Sequence, residues 1–243
     1  MQKIHIGTSG FYYDHWIGRC YPEDISKRDL LPFFAKNFKT VEINSTFYHL
    51  PRQSTIAHWL EVTPDDFLFT LKANRSITHR KKIDAVLDEI LLFIHLIKPL
   101  KEKLGVILFQ LPPYLKLDIG LLDGFISQLP KGYRYAIEFR DQSWMDDVVF
   151  ELMALNGIGL CINDFEQRQT PWIATAPFVY IRMHGPQGRY SGKYDMQTIT
   201  ALCETINGFV DEGRELFCYF NNDMEGFAWQ NAQELIGLCG SRL

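Results

Sequence analysis

Acidic, basic and amide side chains recur late in the short β-like runs of this chain. They are Glu42, Glu138 and Asp223, then Lys72, Arg140 and Arg182, then Asn44, Gln110 and Asn221, with His184 beside them. Two carboxylates can serve as acid and base when their surroundings separate their pKa values. Glu42 and Glu138 are the expected pair. His184, which titrates near neutrality when unperturbed, and Asp223 complete the expected catalytic set. An Arg fork matches carboxylate or phosphate oxygens, so Arg140, Arg182 and Lys72 are expected to hold an anion. Asn44, Gln110, Asn221 and Asp164 are expected to orient substrate hydroxyls or carbonyls. The plainer alternative is mutual pairing, Glu42 or Glu138 with Lys72, Arg140 or Arg182.

The same residues allow other chemistries. A glycosidase needs two carboxylates at a set separation, which a sequence does not supply. Glu42, Glu138, Asp164, His184 and Asp223 could furnish an oxygen-rich Mg²⁺ or Mn²⁺ site. No HxH, HExxH or CxxC spacing accompanies them, and no cofactor or metal ligand set is firmly implied. The long segment Gly10–Asp29 carries Tyr12 and Trp16, expected as an aromatic wall over the site, and Gly185–Asp195 carries Arg189 and Lys193, expected as a cationic flap. The alternative for both is a packed plug. His5 is expected to be structural, and His79 falls on the third loop at the same face.

These side chains must be positioned by strands. Eight β-like runs can be read: Lys3–Ser9, Thr40–Phe47, Phe67–Asn74, Gly105–Leu111, Arg134–Arg140, Gly159–Asp164, Phe178–His184 and Leu216–Asp223. Helical runs alternate with them at Leu30–Phe38, Thr55–Val62, Ile83–Leu104, Gly120–Gln128, Val148–Asn156, Thr198–Glu212 and Ala228–Leu238. Eight βα units close a TIM (β/α)8 barrel of the α/β class, and an open doubly wound sheet is the alternative. Only 13 residues separate Asp164 from Phe178, including Pro171 and Pro177, so a loop is expected where a sixth helix would stand. Gly157 is expected to end a helix in the left-handed conformation.

Strand side chains alternate between faces. Ile137 and Phe139 oppose Glu138 and Arg140; Ile181 and Met183 oppose Arg182 and His184; Phe220 opposes Asn221. The apolar set is expected to meet the helices, which turns the charged set toward the barrel axis. Barrel enzymes build their sites at the carboxyl ends of the strands. Asp164 breaks the alternation, and Asn222 falls off the axis as an expected cap of the last helix.

Composition bounds the partners. The chain has 243 residues, 47% apolar, with a net charge of -4. That length buries a large core without staples and suits one domain, residues 1–243. The acidic balance disfavours nucleic acid as a partner. The five cysteines form no CxxC pair, which fits free thiols in a reducing compartment. No apolar run is long enough to span a bilayer and the N-terminus lacks the apolar stretch of a signal peptide, so a soluble, cytoplasmic protein is expected. The oligomeric state is left open.

Longer motifs add a resemblance. GTSGFYYDHWIGRCYP at Gly7–Pro22, VEINSTFYHLP at Val41–Pro51, FLFTLKANRSITH at Phe67–His79, LGVILFQLPP at Leu104–Pro113, AIEFRDQSW at Ala136–Trp144, YIRMHG at Tyr180–Gly185 and YFNND at Tyr219–Asp223 resemble the domain of unknown function 72 family, also called YecE-like. The resemblance implies a TIM barrel and assures no activity. The expected function is an enzyme of hydrolase, isomerase or lyase type acting on a small anionic or polyhydroxylated (sugar-like) substrate at the barrel mouth. The alternatives are a nucleic-acid-binding or nuclease-like protein and a non-catalytic metabolite-binding barrel.

Overall fold

Period-two alternation of apolar and polar residues, punctuated by helical runs, produces eight parallel strands. The computed structural model describes residues 4–167 and 170–240. The strands are β1 Ile4–Thr8, β2 Thr40–Ile43, β3 Leu68–Lys72, β4 Leu104–Gln110, β5 Tyr135–Glu138, β6 Gly159–Asn163, β7 Phe178–Met183 and β8 Glu215–Phe220. Their order is β1-β8-β7-β6-β5-β4-β3-β2. The β1–β2 seam is joined by a parallel bridge between Ser9 and Glu42. Gly7 permits that approach, because a Cβ there would sit 2.3 Å from the Thr40 carbonyl oxygen.

The helices are α1 Leu30–Asn37, the single turn α2 Ser45–Tyr48, α3 Gln53–Val62, α4 Leu87–Ile97, α5 Ile119–Ser127, α6 Asp147–Leu155, α7 Met196–Asp211 and α8 Phe227–Cys239. Asp118, Asp146 and Asp195 cap α5, α6 and α7 by accepting backbone N–H bonds, which satisfies donors that a helix start leaves open. Between β6 and β7 the described residues hold only a short turn, Phe165–Gln167, as the proline-flanked segment predicts. Gly157 closes α6 with φ of 65°.

Two apolar layers hold the barrel. Outward residues such as Val41, Phe69, Ile107, Ile137, Ile181 and Phe220 are buried against the helices. Inward residues Val106, Leu108, Ala136, Cys161, Phe217 and Tyr219 fill the lower half of the axis. His5 belongs to that lower end: it stacks on Phe217 at 4.7 Å and bonds Glu215 at 2.9 Å, a structural placement.

The strands are shorter than the sequence runs suggest. The second run ends at Ile43 because Asn44 turns into the helical region and starts α2. Arg140, His184, Asn221 and Asp223 lie just past the ends of β5, β7 and β8, in the loops. The long helical run from Ile83 begins only at Leu87, since Lys82, Ile83 and Ala85 have positive φ. The Asn222 side chain is not the N-cap of α8, although its backbone carbonyl accepts the Ala228 N–H at 2.9 Å. Its amide donates to the Gly192 carbonyl and to Asn231, while Gly226 stands at the N-cap of α8. Lys3 lies outside the described residues.

Candidate functional site

Arg182 occupies the axis at the carboxyl end of the barrel, 1% exposed. Its Nε and Nη2 donate to Glu42 Oε1 at 3.1 and 2.7 Å, and its Nη1 donates to Glu138 Oε2 at 2.6 Å. The two glutamates are wholly buried and fully engaged. Glu42 also accepts from the hydroxyls of Ser9 and Tyr180. Glu138 Oε1 accepts from Gln110 at 3.0 Å and pairs with Arg140 at 2.5 Å. Burial alone would raise both carboxyls. For Glu42, the charge and bonds of Arg182, with Ser9 and Tyr180, outweigh it. For Glu138, Arg140 and Arg182 outweigh it further. Both therefore sit below the usual carboxylate range. The structure thus realises the mutual pairing read in the sequence, with Arg182 as its hub.

His184 closes one side of this floor. Its Nε2 lies 3.1 Å from both Arg140 and Arg182. A guanidinium has only donors, so Nε2 accepts and the ring is neutral with its proton on Nδ1. Burial, aided by the two guanidiniums, lowers its pKa against Asp164 and Glu138. Asp164 accepts from the His184 backbone N–H at 2.7 Å and from the Tyr194 hydroxyl. It is a brace for the loop after β7, not an inward-pointing ligand.

Two cavities open above the floor. One, of about 310 Å³, is lined by Tyr13, Asn44, Tyr48, Lys72, Arg182, Tyr190, Asn221 and Asp223. The other, of about 300 Å³, is lined by His79, Gln110, Arg140, Arg189, Tyr190 and neighbours from the loops after β4, β5 and β6. Tyr190, held at φ of 63°, lines both. Lys72 donates to Gln110 Oε1 at 2.8 Å and lies 4.2 Å over the Phe47 ring. Burial and the nearby Arg182 pull its pKa down to about 7. Asp223 moves the other way, raised by burial. Burial lowers His79 to about 4.

The structure thus brings together Asn44, Lys72, Arg182, Asn221 and Asp223 around one cavity, and Gln110 and Arg140 at the other. It keeps Trp16 and Tyr12 apart from both. Trp16 is fully buried, donates to the Asp223 carbonyl at 2.8 Å and packs on Trp229 at 5.9 Å. It is a plug, because indole buried beside α8 gains apolar contact while its N–H still finds an acceptor. Tyr12 turns its hydroxyl to Asp14. The aromatic lining comes instead from Tyr13, Tyr48 and Tyr190. Tyr13 belongs to the aromatic segment Gly10–Asp29 expected as a wall, whereas Tyr48 and Tyr190 carry no periodic signal.

The segment after β7 is a pinned turn. Gly185 has φ of 115°, and a Cβ there would meet the Ser191 carbonyl at 2.3 Å. Arg189 pairs with Glu166, and Lys193 pairs with Glu234 at 2.7 Å. Nor do the five proposed metal donors converge: among the described residues no three His, Cys, Asp or Glu side chains form a metal-binding group. A guanidinium lies between Glu42 and Glu138 where a cation would have to sit.

An eight-stranded parallel barrel with its polar cluster at the carboxyl ends of the strands defines a TIM-barrel protein. Over residues 5–242 the chain matches the family described as Protein of unknown function DUF72, and it belongs to that family. It is 24% identical to the UPF0759 protein YunF of Bacillus subtilis, across 97% of this chain and 94% of that protein. It is 32% identical to the UPF0759 protein YecE of Escherichia coli K12, across 56% of this chain and 48% of that protein. The crystal structure of a DUF72 family protein from Thermotoga maritima superposes with a TM-score of 0.89 at 28% identity, covering 98% of this chain and 99% of that one. Among the described residues no helix is long and apolar enough to cross a membrane.

Proposed function

We propose that this barrel is an enzyme acting on a small anionic or polyhydroxylated molecule at its mouth, by hydrolysis, isomerisation or elimination. The observation that carries the reading is the pair of polar cavities above a floor already neutralised by its own ion pairs. Side chains above the floor and at its edge line them: Lys72, Asn44, Asn221 and Asp223 on one side, His79 with the Glu138 partners Gln110 and Arg140 on the other. A concave site with convergent polar groups and displaced pKa values is the usual signature of a binding or catalytic centre.

The division of labour differs from the sequence expectation. Glu42 and Glu138 remain anionic and fix Arg182. Proton traffic falls to Lys72 and Asp223, whose environments push their pKa values toward one another. His184, neutral and hydrogen-bonded to two guanidiniums, positions Arg140 for an anion. The nucleic-acid alternative loses support from the internal pairing of Arg189 and Lys193. The free cysteines support a reducing, cytoplasmic setting.

Thermal unfolding against sugar phosphates, hydroxy acids, nucleotides, oligonucleotides, Mg²⁺ and Mn²⁺ tests the reading. A ligand at about 100 times its dissociation constant should add about 2.7 kcal/mol. The expected shift comes from a sugar phosphate or hydroxy acid and is lost in Lys72→Met and in Arg140→Leu. A flat panel, or a shift that survives both substitutions, overturns it. Stabilisation without turnover would favour the metabolite-binding barrel.

A further inference from the structure

Lys72 has a setting that anion binding alone does not explain. Among the described residues no carboxylate lies within ion-pair distance of its Nζ, although two buried glutamates stand nearby. Those glutamates are committed elsewhere, Glu42 to Arg182, Ser9 and Tyr180, and Glu138 to Arg182, Arg140 and Gln110. The Nζ has instead a neutral acceptor, Gln110 Oε1 at 2.8 Å, and the face of Phe47. The charges of Glu138 and Glu42 reach it only from beyond ion-pair distance, and those of Arg182 and Arg140 oppose them. Asp223 lines the same 310 Å³ cavity, together with Asn44 and Asn221, which offer amide groups to hydroxyl or carbonyl partners. Asn44 Oδ1 has no hydrogen-bond partner among the described residues.

We propose that Lys72 is a nucleophilic amine that forms a Schiff base with the aldehyde or ketone group of a small polyhydroxylated substrate, with Asp223 as the proton donor. The proposal rests on the reading of the mouth as a substrate site and names its substrate class. The neutral Nζ adds its lone pair to the carbonyl carbon while the C=O π pair moves to oxygen, and one proton of the resulting ammonium passes to that oxygen to give a neutral carbinolamine. The carbinolamine hydroxyl receives a proton from Asp223 and leaves as water, while the nitrogen lone pair forms the C=N bond of a protonated imine. The imine then draws electrons from the adjacent carbon, which is the step that isomerisation and carbon–carbon cleavage both need. A lysine that loses its charge near neutrality supplies the free amine that this attack requires. The burial of Lys72 and the charges of Arg182 and Arg140 push it that way, against Glu138 and Glu42, and bring it to about 7. Other titratable groups facing this end of the barrel include His79 on the loop after β3, Glu166 after β6, His184 after β7, Asp223 after β8, and Tyr13, Tyr48 and Tyr190.

Reductive trapping tests it on the full chain. Glycolaldehyde and sodium cyanoborohydride at pH 7, followed by peptide mass spectrometry, should place the adduct on Lys72. Its neutral fraction exceeds that of an ordinary lysine by roughly a thousandfold, so labelling there should exceed any other lysine by at least about tenfold. The Lys72 rate should reach half its maximum near pH 7, while other lysines go on rising above pH 9. Asp223→Asn should slow Lys72 labelling by at least about tenfold and leave the other lysines unchanged. Even labelling across the lysines, or a Lys72 rate indifferent to Asp223→Asn, overturns the proposal. A stabilising panel ligand combined with even labelling defeats the Schiff base alone; a flat panel with even labelling defeats the substrate site as well.

Discussion

The ion-paired floor and the cavity directly above it use the same residue types to opposite ends. On the floor, Arg182 contacts two carboxylates, and both glutamates have every oxygen engaged. In the cavity, among the described residues, Lys72 has no carboxylate within ion-pair distance, and Asp223 pairs with the half-exposed His15 at 3.6 Å. The environment pins charge in the first region and loosens it in the second. Buried ion pairs seldom add stability over apolar packing, so the floor is best understood as a rigid, pre-charged support. Burial first, and then the charge of Arg182, makes the lysine above it unusual. A charged residue in a barrel interior is therefore neither catalytic nor structural by type; its remaining partners decide.

The largest break in that comparison should come from Arg182→Met. It leaves Glu42 buried without a counter-ion and Glu138 with Arg140 alone, and removing one partner of a buried pair costs about 3–5 kcal/mol. Urea unfolding at pH 7 measures it. Adding Glu42→Gln and Glu138→Gln to the same chain should recover much of the loss, because the charges that needed Arg182 are then gone. A cost under about 1 kcal/mol for Arg182→Met would mean that the floor is not a cooperative unit.

A middle-sized effect is expected at the border between the two regions. His184→Leu removes the acceptor shared by Arg140 and Arg182, each 3.1 Å from Nε2. A buried donor left unsatisfied costs about 1–3 kcal/mol. The same variant frees Arg140 to swing, so any ligand shift that depends on Arg140 should weaken with it. An intact ligand shift in a destabilised His184→Leu protein would assign His184 to the floor alone.

How much of this was legible in the sequence follows the same border. Alternation along β5 and β7 set Glu138 and Arg182 against Ile137 and Ile181, and the structure keeps that division. Parity is a backbone property, so it survives without knowledge of neighbours. Partner choice is not local. Nothing in the spacing of Glu42, Glu138 and Arg182, which come from three strands, says that one guanidinium joins both carboxylates. Nor could spacing show that Lys72 Nζ turns to Gln110 and the face of Phe47. The loops were least legible: Trp16 looked like an exposed wall, yet packs against Trp229 from the far end of the chain. Asp164 and Asn222 likewise took their partners, Tyr194 and Asn231, from the β7–α7 loop and α8.

The smallest effect on stability, and the sharpest on the comparison, is expected from Lys72→Met. The folded pKa of Lys72 is about 7, against about 10.4 for an unfolded chain. Between those values the unfolded state holds a proton that the folded state has released. Stability must then rise with pH across that window, since it rises wherever unfolding takes up protons. Below pH 7 both states are charged, and the folded protein carries the full cost of a buried ammonium. Lys72→Met should therefore be neutral or stabilising by about 1 kcal/mol at pH 6, since a buried charge with no counter-ion gives way to an apolar stem. It should also flatten the rise in stability between pH 7 and 10. The floor predicts the reverse pattern: Glu42 and Glu138 are held below the usual carboxylate range, so their contribution persists at neutral pH and fades only in strong acid. If the stability of Lys72→Met keeps the wild-type slope above pH 7, the lysine is charged like any other, and the cavity is an extension of the floor.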